Sequence, residues 1–488
     1  MAVQQEDIYE RARLSRDPRF DGRFFVGVRT TGIYCRPICP ANSPRRENVR
    51  FFPSAAAAGE AGYRPCLRCR PETAPGSPAW TGTSATVRRG LRLIAGGVLE
   101  DSDVERLAER LGVTSRHLRR LFTRHVGASP LAVAHTQRLH FAKRLIDDTT
   151  LSMQDIAIAA GYGSVRRFND AFRKAYGRPP SELRRVGDSR AEAGVRPGLT
   201  VRLAYRRPFD WAAMLRFFNR RATPGVEAVA GDAYRRTVRL GEQAGVLELR
   251  PDARDGYLLL SLRGLTTQVL FEAVQRAREL FDLDAPVDEI AGVLGRDALL
   301  AGPLRQTPGI RVVGAWDGFE LAVRAILGQQ VSVAAATTLA GRIAARYGEP
   351  LAGAAEGDPA LLFPGPERLA RARFNEVGLV RQRAATIRSL AAAVLKGEID
   401  FDFAQDPAAF CERLTSIDGI GEWTAEYIAM RVLKNPDALP ASDLGLRKAL
   451  GTDRPATANE LKSRAEEWRP WRAYGAMLLW NSLSGSGG

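Results

Sequence analysis

Apolar residues recur at helical spacing through residues 85–185, between two segments where the pattern fails. The first, "PETAPGSPAWTGTS" (71–84), is rich in Pro, Gly, Ser and Thr and reads as a linker. The second is "VGDSRAEAGVRPG" (186–198). Beyond it the texture changes. "GVLELRPDARDGYLLLSLRG" (245–264) holds two short β-rich runs around the turn-forming "DARDG", which predicts a hairpin. From about 316 to 480 the pattern is mostly helical again. The longest uncharged stretch, 325–341, contains two glutamines and several Ser and Thr. It predicts a buried helix rather than a membrane span, which needs about 20 mostly apolar residues. No short-period repeat or low-complexity tract interrupts the chain, and the final "SGSGG" predicts a frayed tail.

Composition adds a partner. At 488 residues, a prior of roughly 100–200 residues per domain predicts three or four domains. The polar, mixed-charge start "MAVQQEDIYERAR" does not resemble a secretory signal. With only five cysteines, the expectation is a reducing cytoplasm and no membrane. The net charge of +16 is uneven. Residues 1–83 hold 13 Lys/Arg against 8 Asp/Glu, residues 84–186 hold 19 against 10, and the remainder holds 39 against 37. A basic front half points to a polyanion, with nucleic acid the leading candidate and a merely soluble basic surface the alternative.

Four of the five cysteines crowd into "TTGIYCRPIC" (30–39) and "RPCLRC" (64–69). Cys35, Cys39, Cys66 and Cys69 form C-x3-C, then C-x2-C after 26 intervening residues. Each pair reaches one ion from a tight turn, and Zn2+ favours four tetrahedral thiolates. Cytosolic disulfides are the weaker reading. Spacing alone leaves open whether the zinc is a closed structural clip or a reactive centre. The flanks "RTTGIYCRPICPA", "RRENVRFF" and "AGYRPCLRCRPE" resemble the N-terminal domain of the Ada-type adaptive-response protein, over about residues 5–73. The resemblance implies that Cys35 takes a methyl group from a DNA methylphosphotriester and keeps it. Alkylation would turn one thiolate into a neutral thioether, lower the cluster's negative charge and raise affinity for DNA. The basic neighbours Arg36, Arg45, Arg46, Arg64 and Arg68 are candidates for holding phosphates.

"SDVERLAERLGVTSRHLRRLFTRHVGASP" has the form of a helix-turn-helix. Ala108 lies in the first helix, Gly112 makes the turn, and Thr114 or Ser115 caps the second. Arg116, Arg119 and Arg120 then fall near one helix face. The pattern recurs in "SMQDIAIAAGYGSVRRFNDAFRKAYGRPPSELRR", where Ala157 and Gly161 repeat those roles. There Ser164, Arg166, Arg167 and Asn169 open the second recognition helix. Two units joined by a helix around 131–145 resemble the AraC-type DNA-binding domain. The resemblance implies that each recognition helix enters a major groove of promoter DNA, with RNA polymerase as a further partner.

"LTSIDGIGEWTAEYIAMRVL" (414–433) places G-I-G between two helical segments and resembles a helix-hairpin-helix. Gly419 and Gly421 would let the backbone approach a DNA phosphate, aided by amides at the second helix's start near Thr424. The "ALPASDLGLRKAL" that follows, with its aspartate about 22 residues after the hairpin, resembles the helix-hairpin-helix base-excision glycosylases. "YRRPFDWAAMLRFF", "FELAVRAILGQQVSVAAA" and "WRPWRAYGAMLLW" extend the resemblance to AlkA-type 3-methyladenine DNA glycosylases over about residues 199–482. By matched position, Asp443 is the catalytic aspartate. As a residue it equally suits the cap of the helix "LGLRKAL". Trp423, Tyr427 and Trp480 match the family's aromatic base pocket, where a cationic alkylated purine flipped from the stack would be favoured. Hydrophobic core is the other reading of Trp480.

Departures from the family's pattern are specific. Bifunctional relatives carry a lysine where Trp423 stands, so strand cleavage is not expected. Gln330 occupies the place of the leucine that fills the flipped base's gap in the best-known relative. Asp418 precedes the first hairpin glycine where proline is frequent, and an acid there is expected to point away from phosphate. The carbonyls of Thr415, Ile417 and Gly419 match a monovalent-cation site. No P-C-H-R motif is present, so direct O6-methylguanine repair is not expected. Cys411, in "FCERL", reads as a small buried residue.

These readings predict a multidomain, mainly α chain. Residues 1–77 form a small α+β zinc domain, 84–186 an all-α double helix-turn-helix domain, 199–308 an α+β glycosylase N-domain, and 309–484 an all-α helix-hairpin-helix core. The expected protein is a cytoplasmic, nucleoid-associated monomer acting on double-stranded DNA with alkylated bases or methylphosphotriesters. A transcription regulator whose last half only binds DNA is the alternative.

Overall fold

The computed structural model describes residues 2–74, 85–101, 103–184, 198–402, 405–451 and 454–485. Of the expected linkers at 71–84 and 186–198, residues 75–84 and 186–197 lie outside the described residues, as do residues 486–488 of the tail. The start of the first is corrected: Pro71–Thr73 form a buried 3-10 turn, held because Glu72 meets Arg70 and Lys143. Two compact units emerge: Met1–Tyr205 with Thr266–Gln275, and Arg206–Leu265 with Arg276–Gly488.

In the first unit a four-stranded sheet orders Val49–Phe52, Phe25–Val28, Ile33–Cys35 and Arg64–Pro65 side by side. The last pair is parallel, with Ile33 opposite Arg64 and Tyr34 opposite Pro65. This register brings both cysteine pairs to one end of the sheet. Phe24, Val26 and Val49 close a small core with Ala12 of the N-terminal helix. The expected helix-turn-helix pairs are formed by Val104–Arg110 with Ser115–Val126 and by Met153–Ala159 with Val165–Tyr176. The helix Pro130–Asp148 joins them. Gly112 and Gly161 sit at φ +69° and +71°, so both turns use the left-handed backbone that glycine enters without a Cβ penalty. Each second helix buries one apolar stripe: Leu118, Phe122 and Val126 in one, Phe168, Phe172 and Tyr176 in the other.

The zinc-domain sheet and the joining helix belong to this one unit and share buried polar contacts. Tyr34 Oη and His140 Nε2 lie 2.9 Å apart. Arg70, next to Cys69, reaches Asp147 at 2.8 Å, while Lys143 pairs with Asp147 and faces Glu72 at 3.8 Å. Burial, with Arg144 adding to it, pushes the His140 imidazole down to about 3, so it stays neutral.

The second unit contains an antiparallel meander of Glu227–Ala230, Ala233–Leu240, Gln243–Pro251 and Tyr257–Arg263. Its last two strands are the expected hairpin, paired from Val246 with Arg263 to Pro251 with Leu258. A helical core follows, with Leu321, Ile326, Ile343, Leu390, Phe410, Leu414 and Ile428 all buried together. One expectation is corrected here. Residues 325–341 are not one buried helix but parts of two, Gly318–Leu327 and Val333–Tyr347. Gly328 closes the first helix, and Ser332 restarts the chain by accepting from the Ala335 amide at 3.2 Å. Lack of charge had hidden a turn made of polar residues, and Gln330 within it is exposed at φ +55°.

A buried ion cluster ties the meander to the helical core. Arg236 meets Glu320 at 2.6 Å, Arg324 meets Glu227 at 2.7 Å, and the Tyr234 hydroxyl donates to Glu227 at 2.6 Å. Burial pushes Glu227 up, but the nearby guanidiniums of Arg324 and Arg236 outweigh it and hold the carboxyl down at about 2.

Candidate functional site

The Sγ atoms of Cys35, Cys39, Cys66 and Cys69 all lie within 4.8 Å of one another. A tetrahedron of sulfurs about 2.3 Å from a central Zn2+ has edges of about 3.8 Å, so the cluster fits that ion. Four thiolates this close would repel one another without a divalent cation. Local folding makes the cluster: Cys39 N–H donates to Arg36 O at 3.1 Å, and Cys66 N–H donates to Tyr34 O at 3.0 Å. Cys66 and Cys69 are buried and Cys35 and Cys39 partly exposed; Cys35, Cys39 and Cys66 line a cavity of about 210 Å³.

The surrounding arginines divide by environment. Arg36 is largely buried, with its guanidinium against Asp21, Cys69 O and Thr73 Oγ1. It braces the zinc loop from within rather than offering its charge to a phosphate. Arg46 pairs with Glu6 at 2.6 Å and lies over the Phe51 ring. Arg45 is exposed, with Glu47 at 3.9 Å, and Arg64 and Arg68 are exposed too.

On the helix-turn-helix pairs, Thr114 and Ser164 cap the second helices, accepting from the His117 amide at 3.3 Å and the Arg167 amide at 3.2 Å. Arg116, Arg119, Arg120, Arg166 and Arg167 are all exposed beyond these caps. Arg119 reaches Glu105 at 2.9 Å, and Arg120 bonds His117 at 3.0 Å.

In the second unit the helices Pro407–Thr415 and Glu422–Arg431 flank the hairpin. Gly419 has φ +88°, and a Cβ there would overlap the Thr386 hydroxyl. Gly421 caps the second helix at φ −92° with open space beside it. Only the first glycine is sterically required. Asp418 is exposed, and its carbonyl accepts from Thr386 Oγ1 at 2.9 Å. The Thr424 side chain turns into the core: it is 2% exposed, and its hydroxyl accepts from Gln329 Nε2 at 2.9 Å. Of the carbonyls expected to hold a monovalent cation, Gly419 O accepts from Gln329 Nε2 at 2.8 Å and Ile417 O from the Ile420 amide at 3.0 Å. Each carbonyl oxygen has a second lone pair, so these bonds do not bar a cation.

Asp443 sits at the N-terminus of the helix Leu444–Leu450. Its Oδ1 accepts from the Leu446 amide at 2.9 Å and from Trp480 Nε1 at 3.0 Å, and its Oδ2 accepts from Trp423 Nε1 at 3.0 Å. Capping and pocket placement are thus properties of one carboxylate. Oδ2, with one donor, keeps the larger acceptor capacity. Trp423 and Tyr427 stack at 5.4 Å and 10°, and Trp480 meets Tyr427 edge-on at 6.2 Å. A ring inserted between the stacked pair would need roughly twice the usual stacking distance, so a base must lie against their outer faces. Trp480 also lines a cavity of about 490 Å³ with Phe217, Arg221, Arg311 and Asn481.

Sequence reading had not singled out the cations behind this pocket. Arg431 donates to Tyr427 Oη at 2.7 Å and stands over both the Tyr427 and Phe217 rings. Arg221 lies 4.0 Å over Phe217. Burial pushes the Tyr427 phenol up, yet Arg431 and Arg221 outweigh it and hold it below its ordinary value. Two signals were available: Arg431 lies inside the quoted "LTSIDGIGEWTAEYIAMRVL", one helical turn after Tyr427, and Arg221 closely follows the quoted "YRRPFDWAAMLRFF".

A four-cysteine clip, paired helix-turn-helix units and a helix-hairpin-helix core with an aspartate among indoles define a DNA-binding regulator fused to a base-excision fold. Comparison with known proteins agrees along the chain. Residues 9–72 match the metal binding domain of Ada, 107–186 a helix-turn-helix domain, 200–317 the AlkA N-terminal domain, and 323–473 the HhH-GPD superfamily of base excision DNA repair proteins. A probable bifunctional transcriptional activator/DNA repair enzyme AlkA of Mycobacterium tuberculosis is 43% identical over 478 residues, covering 97% of this chain and 95% of that one. DNA-3-methyladenine glycosylase 2 of Escherichia coli is 36% identical over 281 residues, 57% of this chain and 95% of the other. The structure of a 3-methyladenine DNA glycosylase from Archaeoglobus fulgidus shares the fold at 23% identity and a TM-score of 0.51, over 57% of this chain and 96% of that one. The chain belongs to the family of AlkA-type bifunctional transcriptional activator/DNA repair enzymes.

Proposed function

We propose that this protein excises N3- and N7-alkylated purines from double-stranded DNA and separately records backbone methylation on Cys35. The observation that carries the first part is the Asp443 carboxylate, held by two indole N–H groups and one amide, all at 2.9–3.0 Å. Alkylation makes the purine cationic. When its bond to C1′ breaks, the electron pair leaves with the base and the positive charge passes to the sugar. A fixed carboxylate stabilises that charge without reorganising. Water then adds at C1′, and its proton passes by way of the carboxylate to solvent. Trp423 supplies no amine at this position, so no Schiff base forms and the strand stays intact: the glycosylase is monofunctional.

For the second part, Cys35, Cys39, Cys66 and Cys69 would hold a Zn2+, which would keep their sulfurs as thiolates. The Cys35 sulfur would form its bond to the methyl carbon of a methylphosphotriester as the O–C bond breaks and the phosphodiester leaves as its anion. Cys35 would lose its negative charge, DNA would be repelled less, and the arginine-bearing recognition helices would bind promoter DNA more tightly. The protein then acts as an activator alongside RNA polymerase, as a cytoplasmic, nucleoid-associated monomer.

The test is base release from a methylated duplex by the wild type and Asp443→Asn, with mass analysis of the zinc domain in the same sample. Loss of release in the variant and one methyl gained on Cys35 support both parts. No release by the wild type on any alkylated duplex would leave a regulator with a DNA-binding remnant.

A further inference from the structure

The turn that carries Gln330 is tied to the hairpin by its neighbour. Gln329 Nε2 donates to Gly419 O at 2.8 Å and to Thr424 Oγ1 at 2.9 Å, one N–H for each acceptor. The Gln329 carbonyl accepts from Arg383 Nη2 at 2.6 Å. Arg383 lies on the helix Arg381–Leu395, which also carries Thr386, whose hydroxyl grips the hairpin at Asp418 O. One helix therefore holds both the turn and the hairpin, and the Gln329 side chain closes the triangle between them. The Thr424 hydroxyl is buried, so its bond competes little with water. Gln330, one residue on, adopts a left-handed backbone that a non-glycine residue keeps only where its surroundings enforce it.

We propose that Gln329 is a positioning residue that locks the strained Gln330 turn to the hairpin. Gripping the phosphate backbone and filling the space left by the flipped base then become one rigid act. This rests on the base-excision reading above. The Gln329 side chain bonds to Gly419 and Thr424, not to Asp443 or the aromatic rings, so its loss should impair extrusion of the base and leave bond breaking intact once the base is out.

The test uses the full chain and two duplexes. In one the alkylated purine is normally paired, and in the other it faces an abasic site, where extrusion is already easy. Gln329→Met keeps the length and removes the donor, while Thr424→Val removes one acceptor and guards against a folding defect in the first variant. Single-turnover excision from the paired duplex should fall roughly tenfold in Gln329→Met and about threefold in Thr424→Val, as expected for losing two bonds or one. Excision opposite the abasic site should stay within about twofold of wild type. Equal losses on both duplexes, or no loss on the paired one, would overturn the inference. Failure of the wild type to release base from either duplex would instead overturn the base-excision reading.

Discussion

Asp443 accepts hydrogen bonds from one backbone amide and two indoles, and its variants should separate those roles. Asn caps a helix about as well as Asp. Asp443→Asn should therefore melt within about 1 kcal/mol of wild type while base release falls by roughly 10²-fold or more, since the anion facing the sugar is gone. Calorimetry and single-turnover release check the two halves. Trp480→Phe keeps the ring and removes one donor, and excision should fall by about tenfold with the melting temperature nearly unchanged. Asp443, Trp423 and Tyr427 were singled out through the resemblance to helix-hairpin-helix glycosylases, which the short hairpin stretch carries, and the structure brings the three together. Gln329 was not, because its partner Gly419 is distant in sequence. Arg431 and Arg221 each have an aromatic partner four residues back, Tyr427 and Phe217, but the long-range contacts of Arg431 with Val313, Gly314 and Phe217 are what bring the two cations together.

At the level of elements, the hairpin's two glycines look equivalent in sequence and are not. Gly419→Ala should cost about 2 kcal/mol or more through its left-handed backbone and the overlap with Thr386, whereas Gly421→Ala should cost less than about 1. Chemical denaturation of both variants distinguishes them. The helix-turn-helix pairs were read correctly because caps and turn glycines are local chemistry, repeated at Gly112 and Gly161 and again at Thr114 and Ser164. Their exposed arginines predict salt dependence. Arg167→Ala should weaken binding to any duplex and lower the slope of log affinity against log salt by about one, measured by titration at several ionic strengths. The break at 328–332 was missed because periodicity reports apolar spacing, and a polar turn between two apolar helices leaves that spacing nearly continuous.

At the scale of the molecule, each compact unit holds a buried titrating group, and the two predict different acid limits. His140 is neutral when folded, with its value pushed down to about 3, and in the unfolded chain it protonates near 6.5. Its contribution to the first unit is full above about 6.5 and is lost as pH falls toward 3. Glu227 is held at about 2 against an ordinary 4.5, so its contribution to the second unit is lost only as pH falls from 4.5 toward 2. Thermal melts across this range should show the first unit weakening at higher pH than the second. His140→Asn should flatten the first unit's dependence, and Glu227→Gln the second's. The Lys143, Asp147 and Glu72 side chains are almost fully enclosed. Lys143→Met should destabilise the first unit by about 3 kcal/mol, because, among the described residues, it leaves Arg70 as the one cation between the buried Asp147 and Glu72 carboxylates.

The sequence by itself determined the local patterns and, through them, the resemblances that name the candidate chemistries. Cysteine spacing, turn glycines, caps and the hairpin aspartate are local patterns, and local patterns are written in consecutive residues. Only the tertiary structure decided which groups act together. The parallel register of Ile33 with Arg64 gathers four thiols and leaves the first pair the less buried. The core turns Thr424 inward and Asp443 toward two indoles, and Arg36 goes to Asp21 rather than outward. These outcomes depend on burial and on partners far apart in the chain, and neither is set by spacing.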